Sequence, residues 1–187
     1  MKKRIVVGVL EVFLAASAYA QAMSFVELVR NGTPQEVQAA VDKGADLKAR
    51  DTGFGLTPLI AAAAYNRNPE VVTILLRAGA EIEARDLVHG GTALLWAATW
   101  NRNPDVVVTL LKAGAGIDVQ NTLEGRTALL WAAHEGANPT GMIMVLLKAG
   151  ADAKVKDKEG MIALDYAQSN YLLKGTEVLK QLEEVSQ

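Results

Sequence analysis

A constant step of 35 residues restricts the fold of this chain more than its composition does. The run from Leu56 to Ala80 (LTPLIAAAAYNRNPEVVTILLRAGA) returns from Gly91 to Ala115 (GTALLWAATWNRNPDVVVTLLKAGA) and again from Arg126 to Ala151 (RTALLWAAHEGANPTGMIMVLLKAGA). Thr57 falls on Thr92 and Thr127, Pro69 on Pro104 and Pro139, and Gly79 on Gly114. A period of this size belongs to a solenoid, in which each unit buries its apolar face only against its neighbours. Function is then sought on an extended surface rather than in one central pocket.

Within a unit the pattern resolves into two helices. Thr92 is placed to cap the first, and Leu94, Ala97 and Ala98 at i, i+3 and i+4 give it one apolar face. A turn is expected at Asn101-Arg102-Asn103. Asn103 then caps a second helix over Asp105 to Lys112, with Pro104 in its first turn and Asp105 complementing its dipole. Gly114 stops that helix in the C-cap region, and the residues up to Arg126 reach out as a hairpin-like finger.

The formal net charge of −2 lacks the basic excess that neutralising phosphates needs, so nucleic acid is not an expected partner. The first 20 residues differ from the rest. Lys2, Lys3 and Arg4 precede an apolar stretch from Ile5 to Ala16, and Ala18-Tyr19-Ala20 stands before Gln21. This reads as a secretory signal peptide, residues 1–20, cleaved after Ala20, with Ala22 the second choice, although Glu11 interrupts the apolar run. Cleavage would leave 16 basic and 20 acidic residues, a net charge of −4. The remaining chain is expected to be periplasmic or secreted, without stable membrane insertion and monomeric. With no cysteine it has no disulfide to draw on, so stacked apolar faces must supply its stability.

Thr57-Pro58-Leu59, Thr92-Ala93-Leu94 and Thr127-Ala128-Leu129, each followed by an alanine pair, together with the Leu-Leu-x-Ala-Gly-Ala runs at Leu75 and Leu110, resemble ankyrin repeats. The resemblance covers about residues 22–187 and implies an all-α solenoid of about five helix-turn-helix units with hairpin-like fingers. The units are an N-cap repeat (22–56), full repeats (57–91, 92–126, 127–161) and a C-cap repeat (162–187). The N-cap repeat carries Thr33-Pro34-Gln35-Glu36, a capping box. The C-cap repeat carries an amphipathic stretch from Thr176 to Leu182 whose charged residues suit a solvated end.

The chain departs from the family pattern in two ways. The ordinary ankyrin step is about 33 residues, and the histidine that usually follows Thr-Pro-Leu is replaced by Ile60, Leu95 and Leu130, removing its link between repeats. An extra residue near Thr140-Gly141 lengthens the turn or second helix of one repeat, whose finger is one residue shorter.

No nucleophile motif, phosphate loop or cysteine suggests an enzyme. No catalytic residue, metal ligand or cofactor site is assigned. His89, in a finger, and His134, near the end of a first helix, read as solvated surface residues, because no further ligands stand at metal-binding spacing. Asp51, Asp86 and Asp157 recur at one finger position and read as turn formers. Arg50 and Arg85, one position earlier, are expected to pair with neighbouring acids.

The informative positions are those the repeat leaves free. A step of 35 gives two columns on the first helices, Ala61, Trp96, Trp131, Tyr166 and Tyr65, Trp100, Glu135, Asn170. In ankyrin-like stacks these helices line the concave side, so the columns form an aromatic strip with Asn66 and Asn101 at its edge. Two readings stand open there: clustered aromatics anchor a protein partner, or the indoles pack against the same position of the next repeat. At the finger tips, Phe54, Leu87 and Val88 are candidate contacts, and Leu123 is expected to stack on its neighbour.

The function expected is a non-enzymatic protein-protein interaction module, an adaptor, accessory or inhibitor acting after export. It would bind an unidentified protein through Tyr65, Trp96, Trp100, Trp131, Tyr166, Asn66, Asn101, Phe54, Leu87 and Val88. A small-ligand or haem carrier using the aromatic groove is the alternative, and an enzyme with a site built across repeats the most remote.

Overall fold

Helix pairs, each joined by a short turn, account for the computed structural model, which describes residues 24–186; the expected signal peptide lies outside these residues. Among them are α1 (Phe25–Asn31), α2 (Pro34–Asp42), α3 (Pro58–Tyr65), α4 (Pro69–Arg77), α5 (Ala93–Trp100), α6 (Pro104–Lys112), α7 (Ala128–Glu135), α8 (Pro139–Lys148), α9 (Ala163–Ser169) and α10 (Glu177–Ser186). The odd-numbered helices pack in one row and the even-numbered helices in a second, each touching its counterpart in the next unit. This is the all-α solenoid implied by the sequence, and no strand occurs among the described residues.

The first helices α3, α5 and α7 are made of small and apolar residues that are buried almost all round. Ala61–Ala64, Ala97, Ala98, Ala132 and Ala133 are fully buried, which is how neighbouring backbones come close enough to stack. The second helices are amphipathic and bury narrower stripes, such as Val71, Val72 and Leu75 on α4 and Val106, Val107 and Leu110 on α6.

Local signals begin and end these helices as the sequence indicates. Thr33 and Glu36 form the capping box. Asn68 and Asn103 accept from the amides of Glu70 and Asp105. Thr57 and Thr127 make caps of 3.4 Å to Ile60 and Leu130. Thr92 occupies the same position without such a bond, and its hydroxyl is buried and unpartnered. Bonds this long are weak, so a small displacement of the turn suffices to lose one. After α6, Gly114 adopts φ 94° while the Ala115 amide reaches back 3.0 Å to the Leu110 carbonyl. That six-residue closure with a left-handed glycine is a Schellman cap.

The irregular repeat resolves as a longer helix and a shorter finger. α8 has 10 residues where α4 and α6 have 9. The finger after α8 closes from Asp157 N to Met161 O, whereas the others close from Asp51 to Leu56, Asp86 to Gly91 and Asn121 to Arg126.

Successive fingers bond to one another through Leu87 N to Phe54 O, Thr122 and Leu123 N to His89 O, and Lys158 N to Glu124 O. Gly55, at φ 69°, must be a glycine here, since a Cβ would lie 2.5 Å from Leu87 Cγ. Arg50 and Arg85 do not pair with acids. Arg50 Nη1 donates to the carbonyls of Gly55 and Arg85, and Arg85 Nη1 to those of Gly90 and Gln120. Gln120 continues the ladder to Gly125 and Lys156. A fixed backbone carbonyl is a nearer acceptor than a mobile surface carboxylate.

The links lost with the family histidine are supplied from the turns. Asn66 Nδ2 donates to Val29 O and Gly32 O, both at 2.9 Å. Asn101 Nδ2 donates to Ala63 O and Asn66 O, and Asn170 Nδ2 to Ala133 O. In the repeat where Gly136 stands instead, the Ala137 amide takes over, donating to Thr99 O at 2.8 Å.

Candidate functional site

One apolar cavity of about 320 Å³ opens between the first helices and the fingers. Its wall comprises Phe54 and His89 from two fingers, Tyr65 from α3, Leu95, Trp96, Thr99 and Trp100 from α5, and Trp131 and Glu135 from α7. Gly91 and Asn121 complete it. All three tryptophans of the chain therefore line a single space.

The two sequence columns nevertheless have different environments. Trp96 is only 6% exposed, with its indole Nε1 donating to Asp86 Oδ2 at 2.9 Å. Phe54 and His89 cover it, with ring centroids 5.4 and 5.9 Å away. Tyr166 is likewise buried, its hydroxyl donating to Asp157 Oδ2 at 2.6 Å. Thus the aspartate at the base of a finger grips the aromatic of the following first helix, nine or ten residues on. At Trp131 the finger residue is Asn121, whose amide turns to Glu124 instead. The Trp131 indole is only partly buried and lies under Arg126, whose guanidinium carbon is 5.0 Å from the ring centroid.

These finger aspartates form turns, as expected, and do more. Asp86 accepts from the amides of Val88, His89 and Gly91, and Asp157 from those of Glu159 and Met161. Burial acts to raise both carboxyls, but the bonds from Trp96 or Tyr166 and from these amides outweigh it. Both therefore ionise below the usual aspartate range. Burial, reinforced by the bond to Asp157, pushes the Tyr166 hydroxyl up. Arg126 completes this cluster, donating to Asp157 and to Tyr166 Oη and lying 4.8 Å from the Tyr166 centroid.

The second column is open. Trp100 is 52% exposed and Tyr65 38%. Phe54, Leu87, Val88 and Leu123 remain exposed along the fingers. Of these four only Phe54 lines the cavity, one side of its ring resting on Trp96 and His89.

Three expectations need correction. Asn66 and Asn101 are buried inside the stack rather than at the groove edge, with their amides committed to neighbouring repeats. Trp96 and Tyr166 face the fingers, which cover them, rather than open groove. His89 and His134 are half-buried in aromatic clusters, His134 lying 4.7 Å from the Tyr166 centroid, and are not solvated surface residues. Helical periodicity gives the direction of a side chain from its own axis, but not what a finger lays over it. The finger-to-aromatic grip was missed, although the Asp86/Trp96 and Asp157/Tyr166 spacings offered a signal.

Among the described residues no group of three histidines, cysteines or carboxylates is placed to hold a metal ion. No helix of the described residues is long and apolar enough to cross a membrane. A search of curated proteins gives no match to the chain. The family model for ankyrin repeats (3 copies) matches residues 25–121 and 94–184, which together span most of the chain.

Proposed function

We propose that this chain, which belongs to the ankyrin-repeat family, is a non-enzymatic adaptor or inhibitor that captures a protein partner in its aromatic groove. Ankyrin repeats are generally protein-protein interaction modules. The observation that carries the reading here is the open aromatic face made by Tyr65, Trp100 and Trp131 with Phe54 at its finger side, while Leu87 and Val88 are exposed elsewhere along the fingers. Exposed aromatics that converge on one cavity are the usual anchors of an interface, and the polar residues around them need supply only a rim. The protein acts after export, an assignment that rests on the leader-like residues 1–20.

The test is cross-linking in the protein's own cell, with the Trp100→Ala/Trp131→Ala variant beside the wild type. A partner captured by the wild type and lost from the folded variant supports the groove. Undiminished capture refutes it and moves the contact to the finger tips. Fractionation with N-terminal sequencing decides export, which fails if the protein is cytoplasmic and begins at Met1.

The size and apolar lining of the cavity favour a second reading, a carrier of a small aromatic ligand, since about 300 Å³ is the lower end for such sites. Titration with haem, read by Soret absorbance, tests one version of it, and a flat response removes haem.

A further inference from the structure

We propose that the groove takes a long-stemmed cation, an arginine or lysine side chain presented by an extended segment of the partner, an inference that rests on the groove-binding reading above. The column at the open side of the groove runs Arg30, Tyr65, Trp100, Glu135, one residue from each successive unit. Arg30 already shows the interaction at its first step. Its guanidinium carbon lies 5.0 Å from the Tyr65 centroid while Nη2 binds Asp51 Oδ2 at 2.6 Å. Arg126 repeats it on Trp131, with Asp157 as its carboxylate. Trp100 stands between them, half exposed, with no cation on either face among the described residues.

The carboxylate that would complete a third such arrangement is present. Among the described residues Glu135 is the only charged side chain lining the cavity, and no lysine or arginine of theirs lines it. Glu135 receives no hydrogen bond among the described residues. Its oxygen lies 3.2 Å from His134 Nδ1, but Arg126 Nη1 lies 3.3 Å from that same nitrogen. A guanidinium can only donate, so in the ring tautomer with its hydrogen on Nε2, Nδ1 accepts from Arg126 and Glu135 is left to accept from elsewhere. Beneath the wall, Asp86 adds a second negative charge, fixed by Trp96 and the finger amides. Apolar ring faces next to a half-exposed carboxylate that no lysine or arginine among the described residues engages complement a hydrocarbon stem ending in a positive head. A cavity of about 320 Å³ has room for one such side chain and not for a folded element.

Because all three tryptophans line the cavity, intrinsic fluorescence reports on this site alone. The folded protein is titrated with blocked glycine-serine heptapeptides bearing a central arginine, lysine, norleucine or glutamate, and with tetramethylammonium chloride. The arginine and lysine peptides should bind at least about fivefold more tightly than norleucine, the factor a modest cation-π contact supplies. Glu135→Gln should abolish that preference while leaving norleucine affinity unchanged. Trp100→Leu, followed through the remaining tryptophans and checked for fold by circular dichroism, should weaken both cationic peptides.

Equal affinity for norleucine and lysine overturns the proposal and leaves an apolar socket, with groove capture still standing. Tetramethylammonium binding as tightly as the peptides overturns the protein occupant in favour of a small cation. Preference for glutamate, or no response to any probe, also overturns it. Failure of the groove reading itself shows separately, as cross-linked capture that survives Trp100→Ala/Trp131→Ala.

Discussion

Replacing Asn101 by alanine tests what holds the stack together. The side chain is 1% exposed. Its amide donates to Ala63 O at 2.8 Å and Asn66 O at 2.9 Å, and its carbonyl accepts from Asn103 N at 2.9 Å. Alanine removes all three bonds and leaves two carbonyls and one amide without partners at a repeat interface. Each buried polar group left unpaired costs about 1–3 kcal/mol. Allowing for partial hydration of the turn, the loss should total about 3–4 kcal/mol. In a solenoid the weakened term is a nearest-neighbour coupling, so cooperativity should fall along with stability. Urea unfolding is followed by far-ultraviolet circular dichroism, which senses every helix, and by tryptophan fluorescence, which reports chiefly on the two units that carry Trp96, Trp100 and Trp131. The wild-type curves should coincide. In Asn101→Ala the dichroism should begin to fall at lower urea than the fluorescence, with shallower slopes, because the N-terminal units separate first. A loss below about 1 kcal/mol with coincident curves would refute the reasoning and assign the coupling to apolar stacking alone.

The two adjacent-turn tryptophans of α5 should behave oppositely. Trp96→Ala should cost about 3–5 kcal/mol in chemical unfolding, whereas Trp100→Ala should stay within about 0.5 kcal/mol of wild type while reducing partner capture. Acid should destabilise the fold. Asp86 and Asp157 have folded-state pKa values below their unfolded ones, so their contribution is full above about pH 4 and is lost as pH falls through the folded values. Thermal melts of Asp86→Asn should therefore show lower stability at neutral pH and a shallower acid decline. On the alkaline side Tyr166 is raised, so its contribution is full below about pH 10 and lost above it. Melts of Tyr166→Phe should lack that alkaline decline.

Most of the architecture was legible because it is periodic and local. The step of 35, the prolines in the first turns, the Thr33/Glu36 box and the displaced register near Thr140 all appear as placed. Bonds between units were harder to see. Asn66 and Asn101 recur one step apart, yet recurrence fits a surface column as well as a buried clamp, and only burial separates them. Arg50 and Arg85 pointed to ion pairs because a sequence displays carboxylates and hides carbonyls, and the acceptors proved to be backbone. The groove was half legible. Trp96 and Trp131 share a column but not an environment, since an aspartate precedes one and Asn121 the other.

That substitution shows how the fold and the binding face are kept apart. Units are joined by asparagine, arginine and glutamine side chains that bond to backbone carbonyls, acceptors that every residue type provides. Arg30 and Asn170, at the two ends of the open column, bond to the stack, but fold stability is nearly indifferent to what stands at Tyr65, Trp100 and Glu135 between them. Arg30, Tyr65, Trp100 and Glu135 succeed one another there, a cation, two aromatics and an anion on one scaffold position. A position under tight packing control holds to one size and polarity, as Ala62, Ala97 and Ala132 and as Ala63, Ala98 and Ala133 do. The gradient of charge along the column is therefore a property the stack does not require. A partner with a basic side chain directed at the Trp100–Glu135 end is the simplest chemical use of it.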